Sequence, residues 1–225
     1  MNRIGSLNEH PLHAALKEFY ARSGGCNEVG VQGYVIDVKN EQELIEIQLG
    51  NFSMIKSKLI QLITTYPVVL VYPIAVKKWL LKLPKNQEEK PVRRISPKRE
   101  TEFNLFNELV SIPDLLNHPR FSIELVFIHE EEVRRYAGVN NWRQNGWVTE
   151  ERRLIEVVGT KRFSDAKSLT RILPESLPEA FTTADLALMA AIPRWLSQKA
   201  VYCLRKMGTI QMVGKKGGSI LYRRI

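Results

Sequence analysis

Asp37, Glu46 and Gln48 are the residues whose types and spacing offer this 225-residue chain its clearest chemistry. They fall in two segments of period-2 alternation, Val31 to Val38 and Leu44 to Leu49, separated by the polar run Lys39 to Glu43, a pattern that predicts a β-hairpin. With the turn centred between Glu41 and Gln42, Asp37 stands opposite Glu46 and Val35 opposite Gln48. Tyr34, Ile36, Val38, Ile45, Ile47 and Leu49 then form one apolar face, and Asp37, Glu46 and Gln48 share the other. Directly opposed β-carbons lie roughly 5 Å apart, where like charges repel without compensation. A divalent cation supplies that compensation, because Mg²⁺ takes one or two carboxylates together with water and phosphate oxygens. The chemistry implied is the binding of a hard divalent cation that keeps room for phosphate oxygens. The solvated face of an ordinary hairpin would present the same residues.

Several elements must hold this hairpin in place. Leu12, Leu16, Phe19 and Tyr20 fall on one stripe and predict a helix from Pro11 to about Arg22, ended by Gly24 and Gly25. Ser53 stands where an N-cap would, before a helix with apolar positions Ile55, Leu59, Leu62 and Ile63 that Pro67 stops. Val68 to Pro73 is an unbroken apolar run, as in a strand buried on both faces. Pro84 to Glu102 is rich in Pro, Lys, Arg and Glu and reads as a solvated loop. A helix around Glu102 to Val110, a strand around Phe121 to Ile128 and a strand or hairpin over Trp147 to Val158 complete this region.

The order of helix, Asp-bearing strand, Glu-bearing strand, helix and buried strand resembles the core of the PD-(D/E)XK, or restriction-endonuclease-like, nuclease superfamily. The matching residues are Gly33-Tyr-Val-Ile-Asp37 and Leu44-Ile-Glu46-Ile-Gln48, and the resemblance covers roughly the first eighty positions. It implies an α/β fold with a mixed sheet flanked by helices, with Asp37 and Glu46 binding Mg²⁺ or Mn²⁺ and the Ile47 carbonyl as a further ligand. Gln48 takes the place of the usual Lys, whose role would be to orient the attacking water and offset transition-state charge. Lys56 or Lys58 on the next helix would supply that positive charge instead. Glu18 matches an additional acidic position on the preceding helix; the bland alternative is a surface charge on an amphipathic helix.

The C-terminal forty residues carry Arg194, Lys199, Arg205, Lys206, Lys215, Lys216, Arg223 and Arg224, and no acidic residue follows Asp185. Thr182 or Thr183 caps a short helix, Pro193 opens a second that Gly208 ends, and Ile210 to Val213 and Ile220 to Arg223 read as strands around a Gly-rich turn. With an earlier helix around Asp165 to Leu173, this resembles a winged helix-turn-helix. The resemblance implies DNA binding by Arg194, Gln198, Lys199, Tyr202, Arg205 and Lys206 on the second helix, with Lys215 and Lys216 on the wing meeting phosphates. Winged helices also serve as protein-protein modules. A second basic and aromatic stretch, Asn140 to Trp147 with Arg152 and Arg153, offers either a nucleic-acid groove or a folded turn with buried tryptophans.

Two domains are therefore expected, a nuclease-like one over 1–160 with a charged loop near 84–101 and a winged helix over 164–225. A net charge of +9 and a pI near 9.6 favour polyanionic partners. Cys26 and Cys203 are too few for a disulfide framework or zinc site, and no apolar run is long enough to span a bilayer, so a soluble, cytoplasmic chain is expected. These features suggest a Mg²⁺-dependent DNA endonuclease, acting as a homodimer or within a larger nucleoprotein assembly. The competing readings are a catalytically inactive, nuclease-like DNA-binding regulator or scaffold, favoured by Gln48, and a subunit whose winged helix contacts protein.

Overall fold

A computed structural model of the chain describes residues 10–22, 24–86, 88–138 and 145–225. Its centre is an α/β arrangement built on a mixed seven-stranded sheet in the order β1 (Cys26–Val31), β2 (Tyr34–Lys39), β3 (Leu44–Ile47), β4 (Val68–Lys82), β6 (Phe121–Tyr136) and β7 (Trp147–Phe163), with β5 (Val92–Ile95) paired to the far end of β4. The β3–β4 and β4–β6 pairs are parallel and the others antiparallel. β4 is flanked on both sides, which is why its first eight residues are all buried and all but continuously apolar.

The segment from Val31 to Val38 is two strands rather than one. Gln32 and Gly33 both adopt positive φ, 51° and 83°, making a tight turn whose twist matches that of the flanking strands, so β1 folds back on β2. The β2–β3 connection is closed by Asn40, whose Oδ1 accepts the amides of Gln42 and Glu43 at 2.9 and 2.8 Å. The resulting register, Val38 against Ile45 and Lys39 against Leu44, is the one the alternation predicts, but the single apolar face expected of it is divided: Tyr34 and Ile36 pack into one layer and Val38, Ile45, Ile47 and Leu49 into the other, the ladder ending at Val38.

Two apolar layers cover the sheet. On one, Leu12 and Leu16 of α1 (Pro11–Ala21) are fully buried against Val38, Ile45, Ile47, Val69 and Val71. Each such leucine contributes roughly 1.5–3 kcal/mol. Tyr20 fixes the helix further, donating to Glu124 of β6 at 2.6 Å. On the other layer, Leu59 and Leu62 of α2 (Lys56–Leu62) and Leu105, Phe106 and Leu109 of α3 (Leu105–Leu109) pack over Leu44, Leu70 and Ile123. The tight turn Phe52–Ile55 precedes α2, and its cap is Asn51 in the left-handed region at φ 56°, not Ser53.

The charged stretch expected as a loop includes a strand. Val92–Ile95 pairs antiparallel with Trp79–Lys82 because the outer part of β4 leaves an open edge there. β4, β6 and β7 run 15, 16 and 17 residues, well beyond the core, and buried charges hold the outer part together. Glu130 is fully buried between Lys78 at 2.8 Å and Arg152 at 2.5 Å, while Glu132 accepts from Arg134 and Thr149, both at 2.7 Å. Such groups are costly to bury unless paired, and here each carboxylate has a cationic partner, although Glu130 Oε1 meets Lys78 as an ion pair without a well-directed hydrogen bond.

Following β7, α4 (Ala166–Leu169), β8 (Ala180–Phe181), α5 (Thr183–Met189), α6 (Arg194–Lys206), β9 (Ile210–Lys216) and β10 (Ser219–Arg224) complete the chain, with a small sheet in the order β8, β10, β9. Thr182 caps α5, accepting from the Ala184 and Asp185 amides at 3.2 Å each. Pro193 is the residue before α6 rather than its first, and Gly208, at φ 75°, follows its end. Leu196, Ala200, Cys203 and Leu204 of α6 join the same apolar layer as Leu105 and Phe106 of α3, so this segment packs directly on the main sheet's helices. Burial there pushes the Cys203 thiol up to about 12. No helix among the described residues is long and apolar enough to cross a membrane.

Candidate active site and C-terminal basic groove

Asp37 and Glu46 come together where β2 and β3 part. Beyond the Val38–Ile45 pair the backbone ladder gives way to a side chain, and the Ile47 amide donates to Asp37 Oδ2 at 2.8 Å. From α1, His13 Nε2 lies 3.0 Å from the Ile47 carbonyl oxygen and 3.3 Å from Asp37 Oδ2. From α2, Lys58 Nζ lies 2.5 Å from Glu46 Oε1 and donates to the Val35 carbonyl at 2.6 Å. The approach of Lys58 to Glu46 is off the direction of a good hydrogen bond, so the contact is principally an ion pair. Glu46 is only 2% exposed, far from the solvated-face alternative for this hairpin.

The two carboxylates are driven apart in acidity. Burial, then the neighbouring Asp37, pushes Glu46 up to about 7 against the pull of Lys58. Burial alone would raise Asp37 as well, but the hydrogen bond and charge of His13, the Ile47 amide and the charge of Lys58 outweigh it and hold Asp37 below the ordinary carboxylate range. Adjacent acids with opposed shifts divide naturally into a permanent anion and a proton-exchanging group near neutral pH. Among the described residues no three His, Cys, Asp or Glu side chains form a ready metal-ligand set. The oxygen donors of Asp37, Glu46 and the Ile47 carbonyl nonetheless are of the type that suits a hard cation completed by water and substrate oxygens.

The other expected site residues fare differently. Gln48 is half-buried, one residue past the end of β3, and its backbone amide donates to the Val71 carbonyl at 2.9 Å. Of the two candidate lysines, Lys58 reaches the carboxylates and Lys56 is exposed. Glu18 is exposed and does not join the site. It follows His13 by five residues, which places it about 140° around the helix. The helix contributes His13 instead, whose only sequence signal is a polar residue flanking the Leu12 and Leu16 stripe.

In the C-terminal segment, a groove of about 310 Å³ runs between α6 and β10, lined by Arg194, Gln198, Tyr202 and Arg205 on the helix and by Ser219 and Ile220 on the strand. Lys206, Lys215 and Lys216 are exposed outside it. Lys199 is turned away: it is half-buried, and Nζ donates to Asn107 Oδ1 of α3 at 2.5 Å. Arg223 pairs with Glu179 at 3.5 Å, and Arg224 donates to the Pro174 carbonyl at 2.6 Å.

Of the second basic and aromatic stretch, Asn140 to Gln144 lie outside the described residues. Trp147 is buried beneath Lys82 and Lys85, whose amines lie 4.4 and 5.8 Å from its ring. Arg152 is committed to Glu130, and Arg153 to Glu131 and Glu151. The described part is the start of β7, with Trp147 buried and both arginines paired with carboxylates.

A family model described as a domain of unknown function (DUF8091) matches residues 10–164. An uncharacterized protein of Treponema pallidum (strain Nichols) is 29% identical over 222 residues, spanning 98% of this chain and 87% of its own length. No solved structure matches. The family match takes in α1, the splayed β2–β3 junction, α2 and the whole of β4 to β7, and the chain belongs to the DUF8091 family.

Proposed function

We propose that the protein is a divalent-metal-dependent DNA endonuclease, with the segment from α4 to β10 acting as a winged helix that holds the duplex. The observation that carries this reading is the convergence of Asp37, Glu46 and Lys58 at the point where β2 and β3 separate. Further support comes from the strand order, in which an antiparallel β1–β2–β3 meander joins β4 in parallel through α2, as the nuclease-like resemblance implies. The order α4, β8, α5, α6, β9, β10, with its three-stranded sheet, supports the winged-helix part.

Asp37, Glu46 and the Ile47 carbonyl would hold the cation. When bound, that cation supplies a nucleophilic hydroxide and neutralises charge on the scissile phosphate. Lys58 enters from α2 with the positive charge that Gln48 lacks, adjacent to both carboxylates, where it offsets negative charge gathering on the phosphate. Glu46, poised near neutrality, can exchange a proton there. Arg194, Gln198, Tyr202 and Arg205 line a surface suited to a phosphate backbone.

The decisive trial incubates purified protein with supercoiled plasmid in Mg²⁺, Mn²⁺ or EDTA, beside Glu46→Ala and Lys58→Met. Metal-dependent nicking that both substitutions abolish, with DNA binding retained, is expected. Binding without nicking in every metal would replace this reading with a DNA-binding regulator or scaffold, the alternative favoured by Gln48 and by carboxylates already paired with His13 and Lys58.

A further inference from the structure

The groove between α6 and β10 gathers cations that nothing in the fold answers. Among the described residues, the guanidinium groups of Arg194 and Arg205 meet no carboxylate or carbonyl, whereas Lys199, Arg223 and Arg224 are each committed to a partner. No acidic residue lines the groove. Between the two arginines stands Tyr202, 46% exposed, whose ring stacks on no other aromatic ring among the described residues. At 1.5 Å and 100° per residue, Arg194, Gln198, Tyr202 and Arg205 fall within about 80° of one another along roughly 16 Å of helix. Cation, amide, aromatic ring and cation thus follow one another along a trough, the pattern of a surface that tracks a single nucleic-acid strand. The shape also favours one strand over two. The major groove of B-DNA is about 12 Å wide and an α-helix with its side chains fills it, so a helix that reads a duplex has to stand clear of its neighbours. Here β10 runs beside the stripe and makes it one wall of a cavity of about 310 Å³, at the small end of the range for ligand sites.

We propose that this groove binds a single-stranded DNA tail adjoining a duplex, with a base stacked on Tyr202 and backbone phosphates on Arg194 and Arg205. The proposal rests on the DNA-binding part of the reading above and adds to it the structure of the DNA that is held. Recognition of this kind is tolerant of sequence, because every base has a face to stack and phosphate contacts carry no sequence information. Ser219 and Ile220 on the opposite wall suit the same ligand, offering a hydroxyl and an apolar surface with no charge to repel a phosphate.

Fluorescence anisotropy of the full chain in EDTA, where no metal-dependent cleavage occurs, provides the test. The probes are a labelled blunt DNA hairpin and the same hairpin carrying a short thymidine tail of either polarity, at about 100 mM salt. A tailed probe should bind about tenfold tighter than the blunt one, the gain expected of one stacked base. Tyr202→Ala should abolish that advantage and Tyr202→Phe should keep it, since the ring and not the hydroxyl does the stacking. Arg194→Ala with Arg205→Ala should weaken the tailed probe more than the blunt one. The comparison of blunt and tailed probes on the wild-type protein gives an answer even where a variant fails to fold. Equal binding of the probes, or an advantage that survives Tyr202→Ala, overturns the single-strand groove and leaves duplex binding standing. Binding of neither probe overturns the proposal together with the DNA-holding role of this segment. Metal-dependent plasmid nicking by the wild-type protein reports on the catalytic reading separately.

Discussion

Lys58 and Glu46 form an ion pair across two elements, Nζ to Oε1 at 2.5 Å, with the lysine in the first turn of α2 and the glutamate nearly inaccessible on β3. It places a cation beside the Asp37 and Glu46 carboxylates from a helix rather than from position 48. Removing the lysine leaves a buried carboxylate facing Asp37 with one partner fewer. Lys58→Met should therefore destabilise the protein at pH 8 by about 1–2 kcal/mol, protonation of Glu46 limiting the cost. Urea denaturation should show that deficit shrinking at pH 6, and Lys58→Arg should restore most of it. A deficit equal at both pH values would mean that packing, not charge, is what the lysine supplies.

Glu46 itself should leave a signature in the pH dependence of stability. Its folded-state pKa of about 7 lies above its ordinary value of 4.5. Between those values the folded state binds more protons than the unfolded, so stability is greatest below about 4.5, falls as pH rises to about 7, and is level above. The whole effect is on the order of 3 kcal/mol. Glu46→Gln should remove this downward slope and be the more stable form at pH 8. Asp37, held low, acts oppositely: its contribution is present above the ordinary carboxylate pKa and lost as the solution is acidified through the folded value. Melting curves from about pH 2 to 8 on wild type, Glu46→Gln and Asp37→Asn separate the two.

DNA binding, if it uses the α6 groove, should be sensitive to salt in a way that depends on which cations are removed. Arg194→Ala with Arg205→Ala should lower the magnitude of the log K against log salt slope by roughly 2, about 0.9 for each phosphate no longer neutralised. Lys199→Ala should change it little, because that amine is already given to Asn107. Fluorescence anisotropy on a labelled duplex from 50 to 200 mM salt provides the measurement. An equal effect of Lys199→Ala would show that helix α6 meets DNA through a different face.

Tyr20 and Glu124 join α1 to β6 through a 2.6 Å hydrogen bond in a half-buried setting that also contains Arg162. Tyr20→Phe deletes the donor and leaves the carboxylate with fewer partners, at a cost of about 1–3 kcal/mol. Thermal unfolding of Tyr20→Phe beside wild type provides the measurement.

The amino-acid sequence alone determined the core of the site. Period-2 alternation and the short polar run Lys39 to Glu43 set the register of Val38 against Ile45, which brings Asp37 and Glu46 to the same end of the β2–β3 pair, but the parting of the strands at that point was not legible. The α1 stripe, the buried run of β4, the Thr182 cap and the Gly208 terminus were legible for similar reasons, each being a local pattern with a local cause. Other features depend on packing between distant segments. Whether Gln32 and Gly33 break one strand into two is decided by the edge that β2 offers to β1, and β5 forms because β4 outruns β3 and leaves that edge open. A helical stripe indicates which side of α1 is buried but not which flank overhangs the end of β3, so it could not choose between Glu18 and His13. In the same way, charge along α6 could not reveal that Lys199 is taken up by Asn107. Only the packing of α6 on α3, ninety residues earlier in the chain, assigned that partner.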